Sequence, residues 1–115
     1  MPTDPPTVPH LLVAGRPVAA VEVAATRRAR GRGLLGRAGL EGAIVLPGVR
    51  SVHTIGMHFA IDVAWLDQDN TVLRVRTMRP GRVSRIVGRA RWVLEAEAGA
   101  FVAWGLVPGV NAEVG

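Results

Sequence analysis

Ser51-Val-His-Thr-Ile-Gly-Met-His-Phe-Ala-Ile-Asp-Val-Ala-Trp-Leu-Asp67 is the stretch that decides the fold. From Met57 to Leu66 its residues alternate. Met57, Phe59, Ile61, Val63 and Trp65 make one unbroken apolar face, and His58, Ala60, Asp62, Ala64 and Leu66 make the other. A two-residue period is that of a β-strand, not of a helix. Asp67-Gln-Asp-Asn70 supplies turn residues, so Thr71 to Arg76 is expected to return as the partner strand.

The same punctuation continues in both directions. Leu11 to Ala14 and Val18 to Val23 read as a hairpin around Gly15-Arg16-Pro17. Gly42 to Leu46 is a strand ended by Pro47-Gly48. Arg79-Pro-Gly-Arg82 is a loop, and Trp92 to Glu97 and Phe101 to Leu106 are two further strands separated by Gly99. Pro108-Gly109 turns into a last short strand ending near Val114. Thr26 stands where a helix N-cap would, ahead of Arg27 to Gly36. Gly31, Gly33 and Gly36 weaken that helix by about 1 kcal/mol each relative to alanine. Six to eight short strands with at most one helix predict a mostly β fold. We expect a small antiparallel β-sandwich or partly open barrel with one short α-helix.

At 115 residues the chain is one domain, expected over residues 10–115. Residues 1–9 carry four prolines and read as a flexible tail. That tail has no basic n-region and no apolar h-region, so no signal peptide is read there, and no run is long enough to span a bilayer. A cytoplasmic location without a membrane is the expectation. Absence of cysteine excludes disulfides and thiolate chemistry. All 14 basic residues are arginine, and the net charge is +5. Without lysine there is no Schiff base and no P-loop lysine. Guanidinium groups suit phosphates, but GC-rich codon usage also accounts for an arginine excess, and the abundant Ala, Val, Gly and Pro fit that origin.

Metal chelation comes first for His53, His58 and Asp62. On a strand, four residues span about 13 Å, too far for His58 and Asp62 to share an ion. No metal and no cofactor are therefore expected. Asp62 sits mid-strand between Ile61 and Val63, where aspartate is disfavoured. If covered, its carboxylate needs a partner, because an unpaired buried charge is costly. Arg30, Arg32, Arg37, Arg50 and His53 are the partners considered. Glu95 poses the same question, so Asp62, Glu95, His53 and an arginine can be read as one polar cluster or as separate surface charges. Two carboxylates also raise glycoside hydrolysis. Five aromatics and no tyrosine are poor material for a sugar cleft. Arg27-Arg-Ala-Arg-Gly-Arg-Gly33 resembles an RNA-binding segment but lacks interleaved aromatics. Ser51 and Ser84 lack a glycine-framed elbow, so no catalytic triad is read.

Three blocks follow one another: Ala24-Ala-Thr26 with Arg30-Gly-Arg-Gly-Leu-Leu-Gly-Arg37, then His53-Thr54-x-x-Met57 with Ile61-Asp62-Val63-x-x-Leu66-Asp67, then Val93-Leu94-Glu95-x-x-Ala98-Gly99. Together they resemble the domain of unknown function 192 family. The blocks keep the family's order over residues 11–114. The sequence departs at Leu35, where methionine is usual, at Ala60, where proline is common, and at Val110-Asn111 in place of Gly-Asp. The resemblance implies a mostly β domain with a short helix near Gly33-Leu34 and a structural motif of Gly33, Leu34, Leu35, Met57 and Gly99. It implies no activity. Family members commonly carry export signals, which this sequence does not show.

The reading that follows is a small non-catalytic binding module with a polar site of His53, Thr54, Asp62, Glu95 and Arg37. Its partner is expected to be a small ligand or a protein. The alternatives are a hydrolase using Asp62 and Glu95, and arginine-mediated RNA binding through residues 27–37.

Overall fold

The computed structural model describes residues 9–24 and 41–115. Among the described residues, seven strands and one short helix follow in the order β1 (His10–Val13), β2 (Arg16–Val23), β3 (Ala43–Pro47), β4 (Ile61–Leu66), β5 (Val72–Met78), β6 (Trp92–Glu97), α1 (Ala100–Trp104) and β7 (Ala112–Val114). They form one sheet in the order β5-β4-β6-β3-β2-β1-β7. The mostly β fold, the number of strands and the β1–β2 hairpin agree with the sequence pattern.

One pair is not antiparallel. β2 pairs with β1 through its first residues, and its last three, Val21–Val23, run parallel to Ala43–Val45 of β3. A parallel pair needs a crossover of a dozen or more residues, and residues 24–42 are long enough to supply it. The expected helix at Arg27 to Gly36 falls in this crossover and lies outside the described residues.

The sheet curls without closing into a barrel. Its two edge strands touch at one end, where Thr71 bridges Asn111. There the Val72 N–H donates to the Val110 carbonyl at 2.9 Å, and the Gly109 N–H donates to that of Val72 at 2.8 Å. Inside the curl, all seven strands contribute to one core, including Leu11, Val13, Val45, Leu66 and Leu94, with Phe101 and Leu106 beside them. A second core covers the outer face of β3, β6, β4 and β5. Ile44, Leu46, Ile61, Val63, Trp65 and Val93 meet Val49, Val52, Met57 and Ala90 from the surrounding loops.

This two-sided burial corrects the opening expectation. β4 starts at Ile61, not Met57, and all six of its residues are buried. Met57 belongs to a loop that folds back over the outer face, its N–H donating to the Thr54 carbonyl at 3.2 Å. Asp62 therefore sits in an interior, and the face it shares with Ala64 and Leu66 is covered.

Phe101 to Leu106 is likewise corrected from a strand to helix α1. A short apolar run satisfies either period, so alternation alone cannot decide it. Two glycines decide it here. Gly99 at φ 97° turns the chain out of β6, and Gly105 at φ 68° ends the helix. Phe101 then turns into the inner core while Val102 stays 88% exposed. Among the described residues no helix is long and apolar enough to cross a membrane.

Gly42 fixes the spacing between β2 and β3. Its φ is +72°, and a Cβ there would stand 2.5 Å from the Ala20 carbonyl oxygen, a backbone atom. Gly42→Ala is therefore expected to lower stability by about 2–3 kcal/mol, combining left-handed strain with a clash only strand separation relieves. A urea midpoint equal to wild type would refute this account.

Candidate functional site

Asp62 is 3% exposed, yet it is fully engaged. Its Oδ1 accepts the Thr77 hydroxyl at 2.6 Å, across the β4–β5 pair. Its Oδ2 accepts the N–H of Gly99 at 2.9 Å and of Phe101 at 3.2 Å. A helix leaves its first N–H groups without internal partners, and the N-cap residue here is glycine, with no side chain to help. Asp62 supplies the missing acceptor from a remote strand. None of the partners considered from the sequence is among these three. The signal was present but indirect: an acid mid-strand, and a Gly-Ala-Phe helix start lacking its own cap.

Thr54 is 0% exposed and equally occupied. Its hydroxyl donates to the Arg79 carbonyl at 2.6 Å and accepts the Arg82 N–H at 2.9 Å. Its own N–H donates to the Arg82 carbonyl at 2.8 Å. These bonds begin an irregular two-stranded ribbon over the outer core. His53 bridges Val83, the Ser84 N–H donates to the Val52 carbonyl, and the Val87 N–H donates to that of Arg50. The Ser84 hydroxyl accepts the Val52 N–H at 2.8 Å. Inward-facing Val52, Thr54 and Ser84 are buried, while His53 and Val83 between them are exposed. No sequence pattern foretold Ser84, whose partner is 32 residues away.

The strand register separates Asp62 from Glu95. Asp62 is opposite Ala96, an inner-core residue, whereas Glu95 is opposite Val63 and Ile44, both outer-core residues. Paired residues share a face and neighbours alternate, so the two carboxylates leave the sheet in opposite directions. Glu95 is fully buried and has an interaction of its own. Arg37, Gly33, Leu34 and Leu35 lie outside the described residues. Of the five sequence candidates, the structure thus brings His53 and Thr54 together on the ribbon and keeps Asp62 and Glu95 apart. A groove of about 740 Å³ lined by Val18, Glu22, Glu41 and Trp104, among others, contains none of them. Among the described residues no three potential ligand side chains gather for a metal ion.

What the structure does assemble is an excess of arginine on the outer side, where Glu22, Glu95 and Glu97 are among the acids placed by strand register. From Asn70 to Leu94 the chain has seven arginines and no acid, which leaves −2 for the remainder of a chain whose total is +5. Arg74 and Arg76 are opposite Trp65 and Val63, so they stand on the outer face of β5. Arg50, Arg79, Arg82 and Arg85 belong to the loops and ribbon covering that same face. All six are exposed. Arg89 and Arg91 instead line a small cavity with Asp67 and Asp69.

A profile of the family DUF192, described as Uncharacterized ACR, matches residues 11–114. No curated protein matches the chain. Two solved structures share the fold. One is a protein of unknown function from Novosphingobium aromaticivorans DSM 12444, with 22% identity and a TM-score of 0.74, covering 90% of this chain and 83% of that one. The other, from Sinorhizobium meliloti 1021, is described as a candidate transcription regulator. It has 22% identity and a TM-score of 0.72, covering 92% of this chain and 91% of that one.

Proposed function

We propose that this chain, which belongs to the DUF192 family of uncharacterised proteins, is a small non-catalytic binding module that meets an anionic ligand with the outer side of its sheet. The observation that carries this reading is the division of labour among polar residues. Thr54 and Asp62 spend their side chains on groups within the fold, whereas the exposed arginines from Arg74 to Arg85 stand on one side and outnumber the exposed acids that share that face, Glu97 and Glu22 among them. Among the described residues none of these guanidinium groups is held in an ion pair. His53 is exposed on the ribbon between them and completes the polar part of the surface. A hydrolase would need both carboxyls on one substrate, about 5–10 Å apart. The opposite facing of Asp62 and Glu95 speaks against it.

Heparin retention tests the reading, provided net charge is controlled. Arg82→Glu and Arg16→Glu change the total charge equally, but Arg16 starts β2, away from the ribbon. Arg82→Glu is expected to cut the eluting salt concentration by roughly half, with Arg16→Glu close to wild type, because local phosphate or sulfate contacts set the salt dependence. Equal effects of the two variants would leave only a generic charge effect and reject the site.

A further inference from the structure

We infer that the anionic partner is a lipid surface, on which the ribbon of residues 50–55 and 82–87 lies. The inference rests on the anion-binding reading and adds the apolar half of the same surface. The inward residues of the ribbon are covered: Val52 is 4% exposed, Thr54 0% and Ser84 9%. The outward ones include Ile55 at 59%, Val83 at 66% and Ile86 at 74%. Three large β-branched aliphatics thus stand in water beside Arg50, Arg79, Arg82 and Arg85.

A polyanion that offers only phosphates has no use for these aliphatic side chains. Single-stranded nucleic acid is gripped by aromatic stacking as well as by charge. The tryptophans are committed elsewhere: Trp65 is 1% exposed, Trp92 donates to Asn70 Oδ1 at 3.0 Å, and Trp104 packs 5.9 Å from the Phe101 ring. An anionic membrane matches both halves. Its headgroup phosphates take the guanidinium forks, and the acyl boundary takes aliphatic side chains that reach past them. This revises the sequence-based expectation of no membrane. The mode is peripheral docking by a loop ribbon, which requires no spanning segment.

Vesicle sedimentation tests it. The wild-type chain is expected to sediment with phosphatidylcholine vesicles containing roughly one-third phosphatidylglycerol, to remain in the supernatant with phosphatidylcholine alone, and to be released by salt. Ile55→Ser with Ile86→Ser is expected to weaken partitioning about tenfold while leaving heparin retention unchanged. Both positions are exposed, so folding is not at issue. The proposal is overturned if the double serine variant partitions like wild type. It is also overturned if the wild-type chain ignores anionic vesicles while binding single-stranded RNA, which would make the surface a nucleic-acid site. Loss of heparin retention by the wild-type chain itself would instead sink the anion-binding reading on which this one stands.

Discussion

Asp62→Ala is expected to cost about 4 kcal/mol of unfolding free energy, a large share of the roughly 5–15 kcal/mol that holds a domain of this size together. The residue accepts three hydrogen bonds that no nearby group can replace: from the Thr77 hydroxyl, the Gly99 N–H and the Phe101 N–H. Removing an acceptor from a buried donor leaves that donor with its full desolvation penalty, about 1–3 kcal/mol. Two of the donors are backbone groups that the fold cannot turn away. Asp62→Asn keeps one acceptor oxygen and should lose about half as much. Urea unfolding with an unchanged m-value measures both. The damage should be local at first, because the carboxylate ties β4 and β5 to the start of α1. Amide exchange at Leu106, which donates to the Phe101 carbonyl at 3.0 Å, should accelerate before exchange in β3 does. Wild-type stability in the alanine variant would remove the structural role assigned here and reopen a functional one.

Trp65→Ala is the second large effect, expected at about 3–5 kcal/mol. Trp65 is 1% exposed and lies in the outer core, and its Nε1–H donates to the Arg50 carbonyl at 3.0 Å. Truncation leaves a cavity beneath the ribbon and takes one of two donors from the Arg50 carbonyl, which keeps the Val87 N–H at 2.9 Å. Trp65→Phe refills most of the volume without the hydrogen bond and should cost about 1–2 kcal/mol. The alanine variant should also loosen the ribbon and weaken anion binding, whereas Asp62→Asn, acting on the opposite face, should leave binding intact. If the two variants weakened binding equally at temperatures where both are folded, the ribbon could not be the binding surface.

The candidate site was legible only in part. The sequence singles out His53, Thr54 and Asp62 as polar residues in an apolar stretch; Thr54 and Asp62 are buried and His53 is exposed, and none of their purposes is readable from the pattern. Thr54 is occupied by backbone 25 to 28 residues away, and Asp62 by backbone 37 and 39 residues away. A side chain's own neighbours carry no mark of such partners. The arginine excess was visible as well, but codon usage was the account that the composition favoured. Only the placement of Arg74 and Arg76 on the same side as the ribbon turns composition into a surface.

Local pattern by itself determined the mostly β character, the hairpin of β1 and β2, and the β4–β5 pair. Each of these depends on side-chain alternation and on turn residues adjacent in the chain. It did not determine that β4 is covered on both faces, that Phe101 opens a helix, or that β2 and β3 run parallel. Alternation reports a period, and a period is the same whether the second face meets water or a second core. Which face meets what, and therefore whether an acid is a ligand or a cap, follows from sheet order and register. Those are set by contacts between residues far apart in sequence, and only the tertiary structure decides them.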